Sequence, residues 1–308
     1  MPKENTHLYF AHRLLEDFRE TELLREISLH IDSYYLGSII PDTFFYSSNP
    51  ALEAVSEFIH GKEGNPTNTM ILDVLDRGAR GNDLVLILGF ITHCALDIVF
   101  HPVIYYLSGN YYDTDPERKS RAAYMHRHIE TCLDISLGNT MRLHERIRPH
   151  VMKGLIFEQR VSDRSGVPGT QIRRTILKQI LINRLFESRS TYRLACLLAR
   201  KGIVFKDTSK LGLFYGDVTH PGKNLEQVFP YRDLFSGEEL ETSFHDLFGR
   251  ARKMAAGMVE AAYLFSKGQI SRDHLIERIP GQSLDTGVMH TPTETIRYTT
   301  DITGHQLC

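Results

Sequence analysis

Residues 89–102 read GFITHCALDIVFHP and place His93, Asp97 and His101 inside the most apolar stretch of the chain. In an α-helix, side chains four positions apart lie on one face, with Cβ atoms roughly 5 to 6 Å apart. These three side chains can therefore converge on one point. Burying them among the apolar residues of 84–91 is costly unless a partner satisfies their polar atoms. Because a divalent metal ion is such a partner, the stretch predicts a buried metal-binding helix.

A second pair of residues repeats this four-residue step. His126 and Glu130 lie in the segment MHRHIE, in a predicted helix that starts at residue 116. The pair is less specific than the first set, because a histidine and an acid at this spacing also occur on solvated helix faces. The neighbouring Arg127 and His128 keep that alternative open.

Three further positions offer metal ligands. His7 lies in the first turn of the first predicted helix, Asp42 ends the segment YYLGSIIPD, and His60 ends the helix PALEAVSEFIH. Alone, each has an ordinary explanation, since a lone histidine is usually a surface or core residue and Asp42 could stabilise a turn. With the first five they make eight candidates, whereas one zinc ion uses three or four protein ligands. We therefore expect more than one ion, and the absence of a cysteine cluster favours an open catalytic zinc site.

The composition predicts a soluble globular protein. The 308 residues are 42% hydrophobic, and 36 Lys and Arg against 38 Asp and Glu give a net charge of −2. No nucleic-acid partner is expected, because there is no global basic field. The chain opens without a secretion leader, and its four cysteines form no CxxC motif, so we expect a cytoplasmic location. No membrane span is expected, since His93 and Asp97 interrupt the most apolar stretch.

Helix-start and helix-stop signals recur along the chain and predict an all-α fold of eight to ten helices. Thr6 is expected to cap the first helix, Asn49 and Gly61 to bracket another, and Thr242 or Ser243 to open a long one. Because a residue before proline is biased away from the α region, the apolar helix is expected to end or kink at His101.

The segments outside these helices have weaker signals. Segment 206–240 is predicted to be an irregular connection, and KGIVF near Ile203 is a weak strand candidate. Residues 1–285 are expected to form one helical domain, and the polar residues 286–308 a mobile tail.

Taken together, these motifs resemble those of a known protein family. Residues 1–135 resemble the zinc-dependent phospholipase C family in an early TH, in LGSIIPD, in a helix-terminal histidine, in GFITHCALDIVFHP and in HRHIE. The resemblance implies an all-α, multi-helix single domain of the phospholipase C and single-strand nuclease type, with a buried metal cluster. It assigns one zinc ion to Asp42, His60, His93 and Asp97, a second to His101, His126 and Glu130, and a third to His7 with the shared Asp97.

The third ion is where the chain departs from the family pattern. Secreted members complete that site with the amino group and carbonyl oxygen of an N-terminal tryptophan, whereas this chain has no Trp and begins Met-Pro-Lys. Two zinc ions, or three with an altered third set of ligands, both stay open.

The resemblance further implies a metal-dependent phosphodiester hydrolase that cleaves a phospholipid headgroup by a zinc-bound hydroxide. Asp42 is the candidate for orienting that water or accepting its proton, besides its role as a ligand. A nuclease-type phosphodiesterase and a non-catalytic zinc-stabilised binding protein stay open as alternatives. The nuclease is disfavoured because no run of basic and aromatic residues suited to stacked bases is evident.

Two sets of side chains are candidates for contact with a phospholipid substrate or a membrane surface. Aromatic residues near Asp42 could line the mouth of the site, although such residues more often belong to the core; they are Tyr34, Tyr35, Phe44, Phe45 and Tyr46. A basic set could meet anionic headgroups in a peripheral membrane contact, or could simply be a solvated surface; it comprises Arg173, Arg174, Lys178, Arg184 and Arg193.

Overall fold

The structure, a computed structural model, describes residues 3–111, 113–137, 141–201, 208–218 and 225–300. Within these ranges there are thirteen α-helices and one antiparallel pair of strands, which confirms the all-α prediction. The helices outnumber the expected eight to ten because several short connecting helices carry little periodic signal. The elements are α1 (Glu4–Leu14), α2 (Glu22–Leu29), α3 (Ile31–Thr43), α4 (Pro50–Ile59), α5 (Thr69–Asp76), α6 (Asn82–Ser108), α7 (Pro116–Ser136), α8 (Leu143–Arg146), α9 (Ile156–Ser165), α10 (Gly169–Phe186), α11 (Arg189–Arg200), β1 (Phe229–Arg232), β2 (Glu239–Thr242), α12 (Phe244–Ser266) and α13 (Arg272–Arg278).

Capping side chains explain where several helices begin. Asn49 and Ser243 cap α4 and α12 with their side-chain oxygens, as predicted, and Gly61, with a φ of 88°, follows the end of α4. The predicted cap of α1 is wrong, since that helix begins two residues before Thr6. The Thr6 hydroxyl instead donates a hydrogen bond to the buried carboxylate of Asp134 at 2.8 Å, so it is not available as a cap.

α6 is the central helix and is buried along almost all of its length. Contrary to expectation, it is long and apolar enough to cross a membrane, but its apolar window lies wholly inside the fold, as in the core helix of a globular domain. Of the two outcomes expected at His101, an end or a kink, the end is wrong, because α6 continues through Pro102 to Ser108, and the kink stays a prediction. A proline removes one main-chain hydrogen bond, and the packing of α3, α7 and α12 around α6 outweighs that loss.

Two glycines set the close approach of α3 and α6. A Cβ atom at Gly37 would lie 2.0 Å from the carbonyl oxygen of Leu86, and one at Gly89 would lie 2.0 Å from the carbonyl oxygen of Tyr34. No larger residue fits at either position without moving a backbone. The crossing brings the end of α3, which carries Asp42, to the middle of α6.

The long connection between α11 and α12 contains a hairpin that the sequence reasoning missed. β1 and β2 pair with Phe229 opposite Thr242 and Tyr231 opposite Leu240. Asp233 turns the chain between them, because its carboxylate accepts hydrogen bonds from the next backbone N–H groups. The turn sequence DLFSG was the available signal. The weak strand prediction at KGIVF covers residues 201–205, of which 202–205 lie outside the described residues.

The first part of the expected tail packs on the helical domain. Thr286, Thr293 and Ile296 are buried, and Ile296 packs in a small cluster with Leu234. The Thr300 hydroxyl donates a hydrogen bond to the carbonyl oxygen of residue 106 at 2.8 Å. Residues 301–308 lie outside the described residues, and the domain boundary at 285 stays a prediction.

Candidate metal centre

Five helices bring the eight predicted site residues to the interior of the fold, and all eight side chains are buried. The central α6 contributes three of them at four-residue steps, so that they share the face turned towards α1, α3 and α7. The others come from the ends or inner faces of those helices and of α4. The set is His7 from α1, Asp42 from α3, His60 after α4, His93, Asp97 and His101 from α6, and His126 and Glu130 from α7.

Four of these residues form a first group, in which each offers a ligand atom within 4.8 Å of the others. His93 Nε2 lies 3.0 Å from Asp97 Oδ2 and 3.5 Å from Asp42 Oδ1. His60 Nε2 lies 3.2 Å from Asp42 Oδ1 and 3.8 Å from Asp97 Oδ2. Two imidazoles and two carboxylates thus face one point in the interior.

A second group, made by His101, His126 and Glu130, satisfies the same distance limit. Glu130 Oε1 lies 3.0 Å from His126 Nε2 and 3.8 Å from His101 Nε2. The two groups adjoin, because His101 Nε2 is also 3.8 Å from Asp97 Oδ1. Asp97 is therefore the carboxylate between them, with one oxygen towards each group.

His7 belongs to neither group but contacts the residue that joins them. Its Nε2 atom lies 3.4 Å from Asp97 Oδ1, and its ring stacks on that of His93 with the centroids 3.8 Å apart. A third set of ligands would therefore need donors besides His7 and Asp97.

Each histidine of the two groups has an outer contact for its Nδ1 atom. For three of them this atom is within hydrogen-bond distance of a backbone carbonyl oxygen: 2.7 Å to Ser56 for His60, 3.0 Å to Ser38 for His93, and 2.7 Å to Leu284 for His101. For His126 the neighbour is the Ser108 hydroxyl at 3.5 Å. An Nδ1–H that donates outward leaves the lone pair on Nε2 facing the centre, which is the tautomer that a metal ion requires.

A comparison with protein families places this chain in one of them. The model described as zinc dependent phospholipase C matches residues 6–164, just over half of the chain. This chain belongs to the zinc-dependent phospholipase C family. The matched segment contains all eight predicted site residues of the phospholipase C site. No curated protein and no solved structure matches the chain.

The donor atoms fit the zinc ions that the phospholipase C family uses. Buried polar atoms nearly always find a hydrogen-bond partner, yet the Nε2 atoms of His7, His60, His93 and His101 have none, nor do Asp97 Oδ1 and Oδ2. Such atoms cost free energy in a dry interior unless a cation satisfies them. Imidazole nitrogens and carboxylate oxygens are ligands that suit zinc.

The protonation states of the phospholipase C site differ between its histidines. Burial disfavours the charged form of His60, but the Asp42 carboxylate outweighs burial and raises the pKa of His60 to about 9. The same competition, between burial and the charges of Asp97 and Asp42, raises the pKa of His93. Burial lowers the pKa of His126 to about 4. Without metal, His60 therefore holds a proton near pH 7 that a zinc ion must displace, whereas His126 does not.

One acidic residue beside the phospholipase C site was not predicted. Asp285 lies outside the family match, with Oδ1 at 3.6 Å from His101 Nδ1 and its side chain only 16% exposed. Its Oδ2 atom accepts a hydrogen bond from the Thr293 hydroxyl at 3.0 Å. The adjacent Leu284 N–H donates to the carbonyl oxygen of His60 at 3.2 Å, which ties this segment to the site. The segment SLDTG was the available signal, but its spacing from the other ligands gave no reason to place it there.

Of the aromatic residues near Asp42, most belong to the core. Tyr34, Tyr35 and Phe44 are buried. Tyr46 accepts a hydrogen bond from the Asn183 side chain, which turns it inward. Phe45 alone of the five is exposed, at 36%, and its ring centroid lies 5.2 Å from that of His60. Of the five expected aromatic residues, Phe45 is therefore the one that is both exposed and close to a predicted site residue.

Proposed function

We propose that this protein is a zinc-dependent phosphodiester hydrolase that cleaves the headgroup phosphodiester of a phospholipid. The observation that carries the proposal is that the buried side-chain atoms without hydrogen bonds belong almost entirely to the residues for which the family resemblance implies zinc ligation. A structural ion pair would satisfy its own members. Here the Nε2 atoms of His93 and His101 lie 3.0 to 3.8 Å from the Asp97 oxygens without a hydrogen bond between them, as ligands around a cation do.

The residues divide into ligand sets as follows. Asp42, His60, His93 and Asp97 would hold one zinc ion, and a second would be held by His101, His126 and Glu130. His7 and Asp97 would contribute to a third if further donors complete it. Bound zinc supplies Lewis acidity and lowers the pKa of a coordinated water to about 7. Three carboxylates against two or three divalent ions leave the site positive, which suits a phosphate.

Asp42 is our candidate for the residue that handles the proton of the attacking water. It is buried, it lies in the last turn of α3 rather than on α6, and its Oδ1 atom faces both His60 and His93. A carboxylate in this position can accept a proton or orient a water molecule by hydrogen bonding. The substitution Asp42→Asn keeps the shape but removes the proton acceptor, so we expect kcat to fall about a hundredfold or more.

The decisive experiment measures metal and turnover on the same preparation. Protein purified without added zinc should contain two or three zinc ions per chain and should hydrolyse a water-soluble chromogenic phosphodiester. A chelator should abolish turnover and zinc should restore it. Hydrolysis of phosphatidylcholine but not of single-stranded DNA would separate a phospholipase from a nuclease; the reverse preference, or bound zinc without any turnover, would contradict the proposal. A cytoplasmic location stays a prediction.

A further inference from the structure

We propose that the exposed faces of α10 and α11 form a docking surface for an anionic phospholipid bilayer. This surface, called here the Leu–Arg face, consists of Arg174, Leu177, Lys178, Leu181, Arg184 and Leu185 on α10, of Arg189, Arg193, Leu194, Leu197 and Arg200 on α11, and of Lys201 directly after α11. The proposal rests on the proposed function in one respect, namely that the substrate lies in a membrane.

The first observation is the concentration of exposed apolar side chains. Eleven large apolar residues are exposed among the described parts of the chain, and five of them are leucines on these two consecutive helices. Leu177 is 54% exposed and Leu181 is 59% exposed, although each lies in the middle of a regular helix. A concentration of exposed apolar side chains on consecutive helices is typical of an interaction site.

The second observation is the helical pattern of α10. Its outward residues fall at positions 174, 177, 178, 181, 184 and 185, which share one face of a helix. The opposite face is buried through residues such as Ile172, Ile176 and Phe186. α10 therefore has two apolar faces, and only the inner one is covered by the described residues.

The third observation is charge. Residues 169–201 contain eight Lys or Arg and one acidic residue, Glu187, in a chain whose net charge is −2. Glu187 does not neutralise the face, because its carboxylate accepts a hydrogen bond from the Asn5 amide at 3.1 Å and lies 3.7 Å from Arg142. Of the eight cations, Arg173 pairs with Glu158 and the other seven are exposed.

Interleaved leucines and cations point to a lipid surface rather than another partner. An interfacial helix inserts aliphatic side chains at the headgroup boundary while Lys and Arg meet anionic lipids. Single-stranded nucleic acid binds on aromatic platforms, and the exposed large apolar side chains of this face are all leucines. Two copies of the face would bring their own cations together, which disfavours a self-association through it.

The inner side of α10 links this face to the site. Gln179 on that side accepts a hydrogen bond from the Thr43 hydroxyl at 2.7 Å, next to Asp42. Asn183 donates to the Tyr46 hydroxyl at 3.1 Å. A bilayer bound to the outer side of α10 would therefore contact the same helix whose inner side supports the segment that carries Asp42.

The test is binding of the zinc-loaded protein to vesicles of phosphatidylcholine with and without 30% phosphatidylserine, measured by flotation. We expect binding only to the mixed vesicles, weakened by salt. The triple variant Arg174→Gln, Lys178→Gln, Arg184→Gln should bind about a hundredfold more weakly, from the typical contribution of each cation near an anionic surface. A matched control with the same charge change, Lys119→Gln, Arg250→Gln, Lys253→Gln, alters exposed cations of α7 and α12 and should bind as the unaltered protein does.

A second pair of variants tests the leucines. Leu177→Gln with Leu181→Gln should weaken vesicle binding about tenfold, whereas Leu29→Gln with Val228→Gln, which are exposed elsewhere, should not. Equal losses in test and control variants, or equal binding to both kinds of vesicle, would overturn the proposal. The proposal would also fail if the protein were a dimer that the Leu177→Gln, Leu181→Gln variant abolished while vesicle binding persisted. It would fail as well if the protein bound single-stranded DNA through the cations and not through the leucines.

Turnover of a water-soluble chromogenic phosphodiester keeps the two proposals apart. All four variants should retain it, because none of these residues touches the metal centre. If the unaltered protein shows no turnover, the proposed activity fails while vesicle binding still decides the docking surface. If turnover is normal and vesicle binding is absent, the docking surface fails and the activity stands.

Discussion

At the scale of single residues, Asp97 is the member on which the centre depends. Its oxygens lie within 3.8 Å of nitrogen atoms from four imidazoles, those of His7, His60, His93 and His101. Burial opposes ionisation of this carboxyl, but the surrounding histidines hold its pKa well below the usual range. Asp97 is therefore an anion in a dry interior, where no water replaces a missing partner.

The first prediction follows from that position. Asp97→Asn preserves the volume but removes the charge between the two groups, so zinc content should fall to below one ion per chain and turnover should fall with it. Zinc is measured by atomic emission on protein freed of unbound metal. The exposed Asp273→Asn on α13 is the control and should keep both. Full zinc content in Asp97→Asn would contradict its role as a ligand.

The second prediction concerns pH. Since the Asp42 carboxylate raises the pKa of His60 to about 9 against burial, metal-free protein binds a proton there that zinc must displace. The protonated imidazole stabilises the metal-free fold below pH 6.5, and this contribution is lost as the pH rises through 9. Zinc affinity should accordingly increase between pH 7 and 9. Calorimetry in two buffers of different ionisation enthalpy should show roughly one proton released from His60 at pH 7, absent in His60→Gln.

The third prediction separates a ligand from its neighbour. His128 lies two positions from both His126 and Glu130 and faces away from the metal centre: its Nδ1 atom lies 2.9 Å from Asp217 Oδ2. His128→Ala should keep zinc and turnover but lower the free energy of unfolding by about 1.5 to 3 kcal/mol, the typical contribution of one hydrogen bond to a charged group. Loss of zinc in this variant would mean that the wrong imidazole has been assigned to the second group.

At the scale of helices, the crossing of α3 and α6 determines whether the first group can form. Asp42 comes from one helix and His93 with Asp97 from the other, and their oxygens and nitrogens meet within 3.5 Å. That approach requires glycine at both contact points, since a Cβ at either would lie 2.0 Å from a carbonyl oxygen of the partner helix. Backbone separation and site geometry are thus fixed by the same two residues.

The fourth prediction tests this crossing. Gly89→Ala should lower the free energy of unfolding by about 2 kcal/mol or more, because the helices must move apart, and zinc affinity should fall although no ligand has changed. Gly257→Ala on α12 is the control: its Cβ would meet nothing within 4 Å, and it should stabilise the protein by about 0.5 to 1 kcal/mol, as alanine does in a helix interior. Urea denaturation with zinc titration checks both.

At the scale of the whole molecule, the metal centre joins parts of the chain that are far apart in sequence. The family match ends at residue 164, yet the Leu284 carbonyl oxygen lies at 2.7 Å from His101 Nδ1, and Asp285 lies beside it. The site is therefore closed by a segment of the carboxyl-terminal part as well as by the five helices that carry the candidate ligands. Metal ions that joined these five helices would stabilise the entire fold.

The fifth prediction is the thermal consequence of removing metal. A ligand at a thousandfold excess over its dissociation constant stabilises a fold by about 4 kcal/mol. For a chain of 308 residues that corresponds to a shift in Tm of roughly 6 °C. A chelator should lower Tm by this amount and added zinc should restore it, as followed by circular dichroism. An unchanged Tm would contradict the presence of a buried metal cluster.

The sequence by itself determined the helical class and the residue types of the centre. The 3.6-residue period predicts that His93, Asp97 and His101 share a face, and the apolar surroundings predict that the face is dry. These are local properties of a helix. The motif resemblance then supplied the grouping of the candidate ligands. The structure places the members of each group close together, and their coordination of metal stays a prediction.

Only the tertiary structure decided what depends on contacts between distant segments. Thr6 fails as a cap because Asp134 takes its hydroxyl, and α6 passes Pro102 because packing outweighs a lost hydrogen bond. Neither contact leaves a periodic signal in the sequence. Asp285 lies beside His101, and the outward leucines of α10 are exposed. Both findings have the same cause: the packing of whole helices sets the distance between residues remote in sequence, and no local sequence pattern encodes that packing.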